Sequence, residues 1–289
     1  MEVLRDLLRY DRRFLIGFII TVLVLLVFPL SLLSPYEPTA RRVVPTNLPP
    51  SWEYPLGTNA LGQDIAWNLI FAVRNTLIIG LLSALLSRMI ATFNGLISGY
   101  IGGVTDRVLS TITDSLIVLP RLPILVFLSF VMRGQLSIWG IALILAFLDW
   151  AWPSKRYRSQ VLSLREREFT ETALFSGMST FSVVTREHLP FLVPYIMADV
   201  ISGFIWAMGM EITLSVLGLT SLSIPTIGTM IYWANYYQAI LRGIWWWIGP
   251  PVVVAIATVI AFYLLSVSLS EFLDPRTRLQ RIKVRPEMG

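Results

Sequence analysis

Five ionisable residues stand inside apolar runs of this 289-residue chain: Arg88, Asp114, Arg121, Asp199 and Glu211. A charge in a hydrocarbon environment costs about 3 kcal/mol or more, so such residues serve ion pairing, proton or substrate movement, or snorkelling to an interface. Counted from the ends of their runs, Asp114 and Asp199 fall at similar depths, with Arg88 and Arg121 nearer the middle. A polar path between helices and a mutual ion-paired lock are both open. Other chemistry is poorly supplied. There is no cysteine, which excludes disulfides, thiolate metal sites and thiol nucleophiles. The single histidine, His188, lies at the edge of an apolar run, and Ser179 beside Gly177 lacks the embedding that an intramembrane serine hydrolase needs. No Gly-x4-Gly-Lys-Ser/Thr phosphate loop occurs, so any ATP must be hydrolysed by another chain.

The elements that position these residues are membrane helices. Residues are 55% apolar and 14% charged, with a mean hydropathy of +0.68, which is far from a soluble domain. An all-α, polytopic protein is expected, with six spans. The first, Phe14 to Leu33, follows Arg5, Arg9, Arg12 and Arg13; its length and the lack of a small-residue cleavage pattern favour an anchor over a signal peptide. Residues 34–71 are rich in Pro, polar and aromatic residues and read as an extracytoplasmic segment. The second span runs from about Asn75 to Tyr100, and Gly95, Gly99 and Gly103 recur on one face, where backbones can approach closely. Gly102, Gly103 and Asp106 predict a tight turn. The third span, Val108 to Val131, should kink at Pro120 and Pro123. Gln135 introduces the fourth, Leu136 to Trp152, which Pro153 closes. Spans five and six are Phe191 to Met210 and Val252 to Phe272, and residues 72–272 form the core. Trp233, Trp245, Trp246 and Trp247 between them fit an interfacial belt.

Charge sets the orientation. Sixteen of the 23 Lys and Arg residues fall in the N-terminus (1–13), the turn at Arg107, the 154–190 loop and the basic tail (273–289). These segments are therefore expected to be cytoplasmic, and the net charge of +5 needs no nucleic acid to explain it. Within the loop, Ser163 and Glu166 have capping-box spacing for a short helix with Phe169, Ala173 and Ser176 on its packed face. Gly177 should end that helix, and Ser179 is a suitable N-cap for the next. Met178, Phe181 and Val184 become apolar knobs on a protrusion, and such knobs want a groove.

The stretch ETALFSGMSTFSVVTREHLP, from Glu171 to Pro190, resembles the signature loop of ABC-importer permeases: Glu-Ala-Ala, three residues, Gly, nine residues, Ile, any residue, Leu-Pro. Glu171, Ala173, Gly177, Leu189 and Pro190 fall in register, while Thr172 replaces the first Ala and Glu187 the Ile. Four further segments resemble the dipeptide and oligopeptide branch of the family, its second-permease or C-type subunit: YPLGTNALGQDIAWNLIFAVRNTL (Tyr54 to Leu77), QVLSLREREF, GMEITLSVLGL (Gly209 to Leu219) and LDPRTRL (Leu273 to Leu279). The resemblance covers about Tyr54 to Leu279. Tyr54, Asn59 and Gln63 stand where that branch usually has His, Asp and Arg, and Ile224 to Gly228 replaces a Pro-Pro-Ser-Trp-Gly run.

The resemblance implies a type I ABC-importer permease fold and a loop that couples to a separate ATPase. Glu171, Ala173, Gly177, Leu189 and Pro190 become coupling candidates, joined by the knobs Met178 and Phe181. It further implies a homologous permease partner, two ATPase subunits carrying ATP and Mg, an extracytoplasmic solute-binding protein, and no cofactor on this chain. The glycine face then packs within the chain or against the partner permease. Peptides lead as substrate, with oligosaccharides or nickel as alternatives. A proton-driven secondary transporter working through Asp114 and Asp199 is the rival from another class; such proteins commonly carry internal repeats, and none is found here.

Overall fold

The computed structural model describes residues 11–132 and 136–273. Arg5, Arg9, Arg133, Gln135 and the basic tail from Arg276 lie outside the described residues. The described chain is helical, with no named strand: α1 (Arg12–Leu25), α2 (Val27–Ser31), α3 (Ile65–Ile101), α4 (Gly103–Val118), α5 (Arg121–Val131), α6 (Ile138–Asp149), α7 (Ala151–Arg165), α8 (Glu168–Phe175), α9 (Thr180–Ser182), a π-helical turn (Val183–His188), α10 (Leu189–Val216), α11 (Ile227–Tyr236) and α12 (Trp245–Leu273). Four helical segments are long and apolar enough to cross a membrane: Arg12–Ser31, α3, Thr180–Val216 and Trp245–Glu271. Counted together as one span, the bent pair α4 and α5 brings the number among the described residues to five.

α3 is the hub. Its 37 residues span about 55 Å at 1.5 Å per residue, well beyond a hydrocarbon core of about 30 Å. It starts ten residues before the expected second span because Asp64 caps it, accepting from Ala66 N at 2.8 Å. Burial pushes the Asp64 carboxyl above its ordinary range, and the amides of Ala66 and Trp67 pull it back. α6 and α7 run alongside α3 in the same direction: Ile79 shares a core with Ala142 and Leu145, Arg88 meets Asp149, and a Cβ on Gly95 or Gly99 would lie 2.8 Å from Tyr157 or Val161. Two of the three spaced glycines therefore serve packing within the chain, while Gly103 has open space beside it and φ +61. α10 crosses α3 at Gly80, where Phe204 leaves no room for a side chain. α1 lies on α12, fixed by Arg13 in a two-pronged pair with Glu271 at 3.0 and 2.6 Å.

The prolines behave differently from expectation. Instead of kinking one third span, Pro120 breaks it: Leu119 before it is extended (ψ 130), and α4 and α5 meet at 81°. Pro123 then sits in the first turn of α5, where a missing N–H costs nothing. Pro153 does not close the fourth span, for the same reason. It occupies the first turn of α7, and Trp150 between α6 and α7 keeps helical angles (φ −71, ψ −25). The apolar part, α6, is only 12 residues long. Ser163 starts no helix either, since it lies in the last turns of α7 and α8 begins at Glu168.

The tryptophans do not form a belt. Trp247 is buried, Trp246 donates to Thr58 O at 3.3 Å, and Trp233 donates to Leu222 O at 3.1 Å with Arg41 stacked 4.9 Å from its ring. Only Trp245 of the four is well exposed. Their work is to hold residues 36–64 down on the helices. In that segment Asn59 Nδ2 donates to Gln63 Oε1 at 3.0 Å, and Asn59 Oδ1 accepts from the amides of Leu61 and Gln63. The two changed residues thus face each other as a neutral hydrogen-bonded pair.

Candidate functional site

The chain between α7 and α10 makes a compact spur. Glu168 and Glu171 occupy the first turn of α8, where acidic side chains complement the helix dipole, and Thr170 and Ala173 are buried against the bundle. Gly177 terminates α8 with φ +82: its amide bonds Leu174 O at 3.0 Å and the Met178 amide reaches Ala173 O at 3.1 Å, the paired bonds of a Schellman ending. Ser179 then accepts from Ser182 N and caps α9. The π-helical turn carries the chain to Leu189 and Pro190, in the first turn of α10.

His188 ties the ends of the spur together. It is fully buried, with Nε2 3.0 Å from Thr170 Oγ1, and Tyr100 and Phe169 packed edge-on. Thr170 spends its single hydroxyl proton on Leu164 O at 2.9 Å, so His188 is the donor through Nε2. This explains the lone histidine without catalysis. Of the three expected knobs, Met178 and Val184 pack against the core that contains Tyr157, Ala173 and Val183, and only Phe181 protrudes, 77% exposed. Its companion is Phe175, 90% exposed at the end of α8. Sequence reasoning missed Phe175; the signal was an apolar pair, Leu174 and Phe175, following the packed Phe169 and Ala173 on one short helix.

The second constellation lies inside the bundle. Arg88 of α3 pairs with Asp149 of α6 and places Nε 3.1 Å from Asp199 Oδ2 of α10. Arg121 of α5 reaches Asp149 Oδ1 at 3.1 Å and stacks 5.2 Å from the Trp206 ring. From α7, Arg156 bonds Asp199 Oδ1 at 2.6 Å and the Tyr157 hydroxyl donates to Oδ2 at 2.9 Å. Five helices thus converge on two carboxylates held by three guanidiniums and a phenol. Space for Arg88 comes from Gly203, where a Cβ would lie 2.5–2.7 Å from the guanidinium atoms. Of the five intramembrane residues singled out from sequence, Arg88, Arg121 and Asp199 belong here. Asp149, Arg156 and Tyr157 were missed, although Asp149 in the run Leu136 to Trp152 carried the same signal as the others.

Asp114 and Glu211 stand apart. Asp114 pairs with Lys155 at 2.6 Å, both half exposed, and does not join Asp199 in one path. Glu211, expected at a mouth that attracts cations, is fully buried. Ser215 and Thr76 donate to it at 2.7 and 3.3 Å, and Thr76 also accepts from Ile227 N. Its carboxyl fastens α10 to α3 and to the start of α11.

A bundle of long apolar helices with an internal charge lock and a spur bearing two bare phenylalanines has the make-up of a membrane component. The family profile described as "Binding-protein-dependent transport system inner membrane component" matches residues 91–279. The chain is 31% identical over 239 residues to an oligopeptide transport system permease protein, OppC, of Mycobacterium tuberculosis, covering 82% of this chain and 81% of the relative. It is 28% identical over 246 residues to a dipeptide transport system permease protein, DppC, of Bacillus subtilis (85% and 76% covered). With the DppC of Haemophilus influenzae the identity is 26% over 278 residues (93% and 92%). The chain belongs to the family of inner-membrane components of binding-protein-dependent transport systems, whose members work with ATPase and substrate-binding subunits.

Proposed function

We propose that this chain is the second permease of an importer for di- or oligopeptides, driven by ATP hydrolysed in partner subunits. The observation that carries the reading is the spur: two exposed phenylalanines, Phe175 and Phe181, on short helices rooted at both ends in the bundle through His188, Tyr157 and Thr170. Phe175 and Phe181 both lie within the segment Glu171 to Pro190 that resembles the family's coupling loop. Glu171, Ala173, Gly177, Met178, Leu189 and Pro190 shape the spur, and the phenylalanines enter the cleft of an ATPase. Closure of that cleft moves α7 and α10, which carry Arg156, Tyr157 and Asp199.

In this reading α6, extended by the first residues of α7, is the sixth span, and both termini and the spur are cytoplasmic. One such chain pairs with a homologous permease, two ATPases and an extracytoplasmic solute-binding protein. ATP and Mg stay in the ATPases. Names of the relatives favour peptides over oligosaccharides or nickel. A proton-coupled carrier using Asp114 and Asp199 is disfavoured, because Asp199 is already held by two guanidiniums and a phenol. The test is import into proteoliposomes holding the whole assembly. Peptide accumulation should require ATP and the binding protein, whereas uptake by this chain alone, driven by a proton gradient, would favour the carrier.

A further inference from the structure

Between α3, α4 and α7 lies a cavity of about 210 Å³ whose walls contain no apolar residue. Each helix contributes positions three or four apart, and so one face: Asn94 and Ser98 from α3, Ser110 and Asp114 from α4, Lys155 and Arg158 from α7. In a chain that is 55% apolar, polar side chains gathered from three packed helices around one cavity stand out. Its hydroxyl groups are also polarised. Ser98 donates to Asn94 O at 2.7 Å and Ser110 to Asp106 Oδ1 at 2.9 Å, so both present lone pairs to the cavity. The Asn94 carboxamide has no partner among the described residues. Two charge pairs complete the wall, Asp114 with Lys155 at 2.6 Å and Arg158 with Asp106 at 2.6 Å through two nitrogens.

We infer that this cavity receives the zwitterionic backbone of a short peptide, its ammonium on Asp114 and its carboxylate on Lys155; this rests on the peptide-permease reading. The argument is one of charge replacement. Asp114 and Lys155 are each about half exposed and keep water, yet a neutral sugar gives neither a charged partner and a metal cation gives one to Asp114 alone. A zwitterion supplies a partner to each, so the pair opens with its ion pairing replaced. Backbone N–H groups of the peptide meet the lone pairs of Ser98 and Ser110 and the carbonyl of Asn94. Lys155 is adjacent to Arg156 on α7, which places the chamber one residue from the internal charge lock.

The chain has no cysteine, which makes labelling of an introduced one specific within it. Ser110→Cys and Asn94→Cys are made separately in the full reconstituted assembly, and modification by a cationic methanethiosulfonate is followed on this chain by mass spectrometry. Dialanine at ten times its dissociation constant should slow labelling about tenfold at either position. N-acetyl-dialanine amide, which lacks both charges, should not. Equal protection by the blocked peptide overturns the inference, as does absence of protection at both positions in an assembly that imports dialanine. An assembly that imports only a non-peptide solute overturns the peptide reading and the inference together.

Discussion

The internal charge lock and the spur each draw on several elements of this molecule, and they are finished to different degrees. In the lock every charge has a partner within the chain: Arg88, Arg121 and Arg156 close on Asp149 and Asp199. The spur is anchored at its base, where His188 Nε2 meets Thr170 and the Schellman bonds close on Gly177, and unfinished at its tip, where Phe175 and Phe181 are largely exposed. A closed network holds a bundle together; an open apolar tip awaits a second surface. Mutations should therefore separate, with the lock failing in stability and the spur failing in transport.

The largest effect is expected from Asp149→Ala. It leaves the buried Arg88 short of one carboxylate and Arg121 without its partner, which costs about 3–5 kcal/mol when one member of a buried pair is removed. Thermal unfolding in detergent should show a large fall in midpoint or no folded protein. A change near zero would mean that water already solvates the lock. Next comes the tip. Phe175→Ser with Phe181→Ser should leave the midpoint of this chain nearly unchanged, because exposed side chains contribute within about 0.5 kcal/mol. Loss of two aromatic anchors should still weaken ATPase docking by about 2 kcal/mol or more and abolish ATP-driven uptake. Normal uptake by this variant would move the coupling surface elsewhere.

Gly203→Ala sharpens the comparison from the side of the lock without touching a charge. The new methyl group falls 2.5–2.7 Å from the Arg88 guanidinium, so the arginine must move or α10 must back away from α3, at about 1–3 kcal/mol for overpacking. Combining it with Arg88→Met should recover part of the loss, because the obstructed group is gone. Independent, additive losses would show that Gly203 matters for some other contact.

These two regions also differ in how readily the sequence disclosed them. The spur was legible because its devices are local: Gly177 for a positive φ, Ser179 for a cap, and a polar stretch between apolar runs. Its orientation of side chains was not, since whether Met178 or Phe175 points outward depends on the bundle under it. The lock was half legible. An ionisable residue in an apolar run marks itself by cost, which found Arg88, Arg121 and Asp199. Nothing local says that Asp149 and Arg156 meet them, because the pairing spans up to 61 residues of sequence. Helix boundaries differed for a similar reason: Pro120 and Pro153 are identical signals in sequence, and only the neighbours decided that one breaks a helix while the other sits harmlessly in a first turn. The tryptophans failed as a belt because residues 36–64 fold back to cover them, a contact with no sequence period.

A local effect is expected at Gly177, and it tests the spur most finely. A Cβ there meets no atom within 4 Å, so substitution acts through the backbone alone, at φ +82. An L-residue in that region costs about 1–2 kcal/mol, less for Asn, whose short side chain tolerates it, and more for a β-branched residue. Because the strain is local, relief comes from undoing the Schellman bonds to Leu174 O and Ala173 O, which turns Phe181 away from Phe175 without disturbing the lock. ATP-driven uptake should therefore fall in the order Gly177, Asn, Ala, Val, with the unfolding midpoint shifting little across the series. If uptake is insensitive while the midpoint falls in that same order, Gly177 serves only the stability of the spur, and the geometry of its tip has no part in coupling.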